Sequence, residues 1–377
     1  MIFELNDEQK AIKKMVREFT EKEIVPVARD LDDKEEYPFE IIKKLDELGL
    51  SNLAVPEEYG GPGVDSLSAT IIIEELAFGC AGVATSAACN SLALYPLILG
   101  GSQKLKEKYL PFICNNGKFA SFCLTEPNAG SDVGAVSTTA EKKGNEYIIN
   151  GNKCFITSGS HADYYTVFAK TNKNDPKSLS AFMVEADLPG VVRGKKEIKM
   201  GIRASDTAEI IFEEVKIPSE NLIGKEGDGF RLSMQTLDMA RPTVGAIAVG
   251  LAQAAFEAAV SHAKERVQFG RPIAYNQGIQ FILADMATEI EAARLLVYQA
   301  SWLKDQKKPF SRQSAISKLY ASDMAMRVTT NAVQVLGGYG YSREYMVEKY
   351  MRDAKIMQIY EGTNEIHRIV IANQILK

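Results

Sequence analysis

The apolar period of this 377-residue chain changes twice, which rules out most folds at once. From residue 1 to about 120 the pattern is helical. Asn6 with Gln9 reads as a capping box ahead of a stripe of Ile12, Met15, Val16 and Phe19. A second helix carries Pro38 near its start, buries Ile41, Ile42, Leu45 and Leu48, and stops at Gly49. PEEYGGPG (56–63) is a loop by composition. Helical spacing resumes over Ser66–Phe78 and Ala81–Leu99. After about Phe122 the runs become short and β-rich. EYIINGNKCFITSG places Asn150-Gly151, a strong two-residue hairpin signal, between two such runs. Further strands are expected at Tyr164–Ala169, Leu179–Val184 and Glu209–Ile217, closing at the loop GKEGDGF. Long helices then return over Ala246–Val267, Gln277–Lys304 and Ser314–Leu336. The order is helical, β, helical, without alternating βαβ units, so the class is α+β and not a doubly wound sheet. The expected divisions are an N-terminal helical domain (1–120), a middle β domain (121–228) and a C-terminal helical domain (229–377).

Several function classes drop out. Net charge is −5, with both signs mixed along the chain, so no basic stripe offers itself to nucleic acid. No stretch approaches the roughly 18–20 uninterrupted apolar residues of a membrane span, and Val244–Val260 carries Gln253 and Glu257, so no membrane insertion is expected. MIFELNDEQK lacks a basic segment followed by an apolar one, so no signal peptide is expected. Cys80, Cys89, Cys114, Cys123 and Cys154 form no CxxC pair, which suits buried thiols in a reducing compartment. Only His161, His262 and His367 are available, in no metal-ligand spacing, so no metal is expected. GGYGY (337–341) follows a helix and fails the spacing of a dinucleotide loop.

One carboxylate stands out. In YEGTNE (360–365), Glu361 precedes Gly362 just before a final helix. Gly362 would let a ligand approach closely, and exclusion of water would raise the Glu361 pKa towards that of a general base. The blander alternative is a helix start, with Thr363 as cap and Glu361 solvated beside the helix dipole. These six residues leave both open. His367 reads as a helix residue rather than a second catalyst.

LTEPNAGSD (124–132), KCFITSG (153–159), ERVQFGRPI (265–273) and GGYGYSREYMVEKYMRDAKIMQIYEGTNEI (337–366) stand in the order and at the separations of the acyl-CoA dehydrogenase family. The resemblance covers essentially the whole chain. It implies a middle domain that is a β-barrel or sandwich and a C-terminal four-helix bundle. It also implies FAD as cofactor and α,β-dehydrogenation of an acyl-CoA to the trans-2-enoyl-CoA. Electrons would pass to electron-transferring flavoprotein.

By the same resemblance, Glu361 looks like the base that removes the α-proton, while the β-hydrogen leaves as hydride to the flavin. The thioester carbonyl would be held by the flavin ribityl hydroxyl and the Glu361 N–H, where enolate-like charge develops. A family variant carries its base just before an arginine; here that position is Ala240, in LDMAR, so Glu361 has no competitor. Phe122, Leu124, Thr125 and Ser131, with Phe155, Ile156 and Thr157, resemble the segments lining the flavin ring. Phe155 replaces a tryptophan common among relatives. Arg266, Gln268, Phe269 and Gln277 resemble pyrophosphate and adenosine contacts. Gln334, Gly337 and Gly338 resemble residues reaching the FAD of a neighbouring chain, and Thr363 and Glu365 should also meet the cofactor. For the substrate, Ser131, Asp238, Arg241 and Gly362 match, with Arg241 nearest the nucleotide end of CoA.

The stretch Gly79–Leu99, which borders the acyl pocket in this family, contains no Asp, Glu, Lys or Arg. An uncharged acyl chain of short or medium length is therefore expected, with a branched or alicyclic group as the alternative. Other readings are an enoyl-CoA reductase running in reverse, an oxidase, or a flavin-free helical scaffold. A homotetramer, built as a dimer of dimers, is the expected assembly. The expected compartment is a bacterial-type cytoplasm, or the mitochondrial matrix if the chain is processed.

Overall fold

The computed structural model describes residues 4–376. Six helices open the chain: α1 (Asp7–Phe19), α2 (Ala28–Lys34), α3 (Phe39–Glu47), α4 (Ser66–Gly79), α5 (Ala81–Gly100) and α6 (Gln103–Asn115). Asn6 and Gln9 do form a reciprocal capping box on α1. Eight strands follow: β1 (Ala120–Cys123), β2 (Thr139–Lys143), β3 (Glu146–Thr157), β4 (Tyr164–Lys170), β5 (Leu179–Glu185), β6 (Val191–Lys196), β7 (Thr207–Pro218) and β8 (Leu222–Ile223). The C-terminal part holds α7 (Gly229–Glu265), a small hairpin of β9 (Val267–Gln268) and β10 (Arg271–Pro272), α8 (Gln277–Asp305), α9 (Ser311–Leu336), α10 (Gly338–Tyr341), α11 (Val347–Met357) and α12 (Asn364–Ile375).

The strands run in the order β6-β7-β3-β2-β4-β5-β8, with β1 parallel to β4. β2 and β4 meet at a single residue pair, Thr139 with Lys170, so the sheet divides into two halves that fold over one core. Tyr147, Tyr165, Phe182 and Phe212 fill that core. A larger apolar core joins α4 and α5 to α7, α8 and α9. α5 and α7 are long and apolar enough to match a membrane span by length and composition, but two-thirds of each such window, 67%, is buried in protein. That core, not lipid, explains their composition.

Two sequence expectations are corrected. Asn150-Gly151 is no hairpin turn; it lies inside β3, and the turn falls at Gly144-Asn145. Long-range pairing overrides the local signal. The Asn150 amide brackets β7, donating to Glu214 Oε1 (2.7 Å) and accepting from Glu214 N (2.8 Å). Gly151 is needed for contact, because a Cβ there would fall 2.3 Å from Thr138 Oγ1. The second correction concerns α7, expected from about Ala246 but beginning at Gly229 and running through Pro242. A proline inside a helix frees the carbonyl four residues back. Ser314 Oγ of α9 satisfies it, donating to Asp238 O at 2.7 Å.

A buried ion pair fixes the segment after β1. Glu126 Oε1 accepts from Lys153 Nζ (2.8 Å) and from Thr138 N (3.0 Å). Its Oε2 accepts from Ser137 N (2.7 Å) and Oγ (2.6 Å). Lys153 Nζ also donates to Leu124 O (3.0 Å), clamping residues 124–126 against β3. Burial opposes ionisation of Glu126, but the Lys153 ammonium and these donors outweigh it and hold the carboxyl down at about 2. Its stabilisation is therefore complete above the ordinary value of 4.5 and is lost as pH falls towards 2. Glu126→Gln, which strands the Lys153 charge, should cost about 3 kcal/mol or more. Denaturant unfolding at a series of pH values checks both; an acid slope unchanged by the substitution would remove Glu126 as its source.

Candidate active site

α11 ends at Met357, and six residues later Thr363 caps α12, its hydroxyl accepting from Ile366 N. Between them the chain reverses through two successive left-handed residues, Glu361 (φ 52°) and Gly362 (φ 96°). Glycine accepts such a φ freely; glutamate does not, and a side chain held there is strained. The Glu361 N–H donates to no group in the described residues. The side chain points inward, and its Oε2 is buried without a hydrogen-bond partner. Both readings of YEGTNE are half right: Thr363 is the cap, and Glu361 is half-buried, with Oε2 withdrawn from water.

The surroundings are cationic at a distance. Burial raises the Glu361 carboxyl to about 7, against the opposing pull of Lys318 and Arg241. Neither cation forms an ion pair with it. Arg241 is instead paired with Asp238 on α7 and is only 3% exposed. Its Nε is buried without a partner, and its guanidinium contributes to the field around Glu361. Ala240 is buried beside it, so no second acid competes at that position. On α12, His367 is fully buried next to Gly362 with neither ring nitrogen bonded, and burial, with Lys318 and Arg241, pushes it down to about 3. It is a neutral wall of the site. Glu365 is exposed.

The end of β3 and the clamped segment after β1 meet near this centre. Cys154 N donates to Thr125 O (3.0 Å), and Cys89 of α5 links Ala120 O (3.5 Å) to Thr157 O (3.3 Å). A bulge against β7 between Lys153 and Ile156 turns Phe155 outward, at φ 56° and 64% exposed. Leu124 and Ile156 turn their side chains into apolar cores, and Phe122 packs on Phe168 (5.0 Å between centroids). What Leu124 and Ile156 can offer a ligand is main chain, whereas Phe122 is only half-buried. The Thr125 and Thr157 hydroxyls donate to nothing among the described residues, and Ser131 is exposed. An exposed aromatic face beside two open hydroxyls fits a flat heterocycle with polar edges, as the isoalloxazine of FAD is.

A second patch lies apart. Arg266 follows α7, with its guanidinium 5.2 Å from the Tyr339 ring centroid. Phe269, at the tip of the β9–β10 hairpin, is wholly exposed at φ 53°. Gln268, Gln277, Gln334, Gly337 and Gly338 are exposed as well, and Cβ atoms at either glycine would meet open space. No hydrogen bond or ion pair among the described residues joins this patch to Glu361. A cation among open glycines suits a phosphate-bearing group.

Two features escaped the sequence reading. One is Lys318, fully buried on α9 in a stripe with Ser314, Ala321 and Ala325; a lysine at core spacing was the available signal. The other is a cavity of about 130 Å³ behind α5, lined by Ala88, Ser91, Tyr95, Met239, Thr243 and Lys304. Lys304 of α8 reaches the Tyr95 hydroxyl there (3.1 Å).

Three family models match the sequence in succession: "Acyl-CoA dehydrogenase, N-terminal domain" over residues 6–117, "middle domain" over 121–215 and "C-terminal domain" over 227–376. Acryloyl-CoA reductase (NADH) of Anaerotignum propionicum is 47% identical over 100% of this chain and 96% of its own length. The structure described as butyryl-CoA dehydrogenase from Megasphaera elsdenii superposes with a TM-score of 0.97 at 46% identity, covering both chains completely. A chain of the structure described as electron transferring flavoprotein of Acidaminococcus fermentans does so with a TM-score of 0.98 at 47%, again over the whole of both chains.

The turn makes its own prediction. In Gly362→Ala, the residue keeps a left-handed φ and sets a methyl 3.2 Å from His367 Cε1. A loss of about 1–2 kcal/mol in denaturant unfolding is expected. Wild-type stability would mean that the turn relaxes freely.

Proposed function

The chain belongs to the acyl-CoA dehydrogenase family, flavoprotein oxidoreductases that act on CH–CH bonds with FAD, and on that footing we propose that it interconverts an uncharged short- or medium-chain acyl-CoA and its trans-2-enoyl-CoA, exchanging electrons with electron-transferring flavoprotein. The observation that carries this reading is Glu361: a buried, unpartnered carboxylate oxygen and an unpartnered N–H in one left-handed turn. The N–H can hold the thioester carbonyl while the carboxylate takes the α-proton, so charge is stabilised where it forms. Gly362 supplies the left-handed φ that the turn needs, with His367 packed where a side chain would stand. FAD, when bound, supplies the two-electron acceptor for the β-hydrogen. Thr125, Thr157 and Phe155 would hold the flavin ring.

The absence of charge in the segment Gly79–Leu99 supports an uncharged acyl group, and the likeness to butyryl-CoA dehydrogenase supports a short one. A likeness of equal strength to acryloyl-CoA reductase supports a second reading, in which the enoyl-CoA is reduced. Glu361 serves both directions, returning in one the proton it removes in the other. The separate patch around Arg266 and Phe269 supports a homotetramer in which that patch completes the flavin site of a neighbouring subunit.

Glu361→Gln should retain FAD yet lose roughly 10²–10⁴-fold in turnover; near-normal turnover with any acyl-CoA overturns the assignment. Since the base must be unprotonated and its carboxyl sits near 7, kcat/KM for dehydrogenation should climb with pH through about 7. Anaerobic flavin bleaching against a panel of acyl-CoA esters ranks the substrates, and comparing dehydrogenation with enoyl-CoA reduction separates the two directions. Sedimentation should give an oligomer; a monomer that keeps its FAD contradicts the shared site.

A further inference from the structure

We infer that Lys318 of α9 is a positioning residue for Glu361, its ammonium tying down the strained turn from beneath while lending the carboxylate a positive charge it does not touch. The inference rests on the reading of Glu361 as the base. Lys318 is fully buried, and its Nζ donates to Gly362 O (2.8 Å) and Asn364 Oδ1 (3.2 Å). These two acceptors flank Thr363, so one ammonium grips the chain on both sides of the cap. No carboxylate lies within ion-pair distance of Nζ among the described residues. A buried charge without a paired counter-ion is expensive, and an apolar residue would fill the same slot at lower cost. The geometry accounts for the expense.

Glu361 at φ 52° stays left-handed only if its neighbours leave it no alternative. Lys318 fixes the following carbonyl. Five residues along α9, Asp323 fixes the rest, since its Oδ1 accepts from Gln358 Nε2 (2.6 Å) before the turn and Asn364 Nδ2 (2.7 Å) after it. Asn364 N in turn donates to Gln358 O (3.1 Å). The Asn364 amide is thus oriented with its oxygen towards Lys318. One helix carries the whole grip.

Charge is the second part. The titratable and charged groups around this pair are Arg241 with Asp238 on α7, Asp323 on α9, Glu365, His367 and Arg368 on α12, Cys89 on α5, and Tyr360 in the turn itself. Burial pushes the Tyr360 hydroxyl well above its ordinary value. Asp238 is paired with Arg241, and Asp323 with Arg368. His367 stays neutral near 3, and burial pushes the Cys89 thiol up to about 12. Burial also brings Lys318 down to about 7, with Glu361 opposing. Glu361 and Lys318 are therefore the groups that titrate together near neutrality. Removing the cation makes the carboxylate harder to ionise, so the acid limb must move up in pH.

The test uses the FAD-loaded enzyme and two substitutions. Lys318→Met removes donor and charge; Lys318→Gln removes the charge and keeps a donor of similar reach. Both should shift the acid limb of kcat/KM upward by about one pH unit. Above that limb, Lys318→Met should lose about 10²-fold in kcat from the displaced turn, and Lys318→Gln should recover at least a tenth of the wild-type value. A purely structural lysine would leave the limb where it is. An unmoved limb in either folded variant, or kcat within twofold of wild type for Lys318→Met, overturns the proposal; if the Met variant does not fold, the Gln variant alone decides through the limb. Glu361→Gln, measured alongside, keeps the two readings apart. Its inactivity with silent Lys318 variants sinks only the role of Lys318, whereas its activity sinks the base.

Discussion

The arrangement depends on holding one carboxylate oxygen out of water. Fuller hydration of Glu361 would return its carboxyl to an ordinary acid. The structure closes the site with apolar and neutral walls, chiefly the helices α5 and α7 and the imidazole of His367. It then balances the cost with two cations set back from contact. A direct ion pair would have defeated the purpose, because it would depress the carboxyl far below neutrality. Glu126 shows that contrast within the same chain: it touches Lys153 and is held near 2, whereas Glu361 faces Lys318 without touching it and sits near 7.

The three parts of the fold divide this work. The helical core around α7 and α9 supplies rigid surfaces for the turn, and α5 connects it to the β domain through Cys89. The β domain contributes ends and bulges rather than its sheet faces. β3 stays regular where it pairs with β2 and breaks register where it nears the site, and the break is what sets Phe155 in the open. A regular strand would have paired that position into the ladder.

Much of this was legible in the sequence. The change of period gave the helical, β, helical order, and α8 was expected over Gln277–Lys304 and found over Gln277–Asp305. Asn6, Gln9 and Thr363 announced their caps because capping is a local chemistry. Glu361 was visible as an anomaly beside Gly362, and the family motifs gave it a role. What misled were strong local signals overruled by distant partners. Asn150-Gly151 looks like a turn until β7 is laid beside it, and Pro242 looks like a helix stop until Ser314 arrives from α9. Lys318 was passed over because a lysine on a helix is ordinarily at the surface, and nothing in its neighbours names the carbonyl it meets 44 residues later. Arg241 was singled out in the sequence, but its depth is a property of packing that spacing does not carry.

The proline in α7 has one more implication. Ser314 and Lys318 sit one turn apart on α9, and the carbonyl Ser314 caps belongs to Asp238, the partner of Arg241. Pro242 and Ser314 are therefore a matched pair. Losing the serine alone orphans a carbonyl, while restoring an amide at position 242 makes that hydroxyl redundant, so the two changes together should cost less than their separate effects summed. Drift at either position would be expected to wait for the other, and the spacing between the two helices bearing the cations would be inherited as a unit.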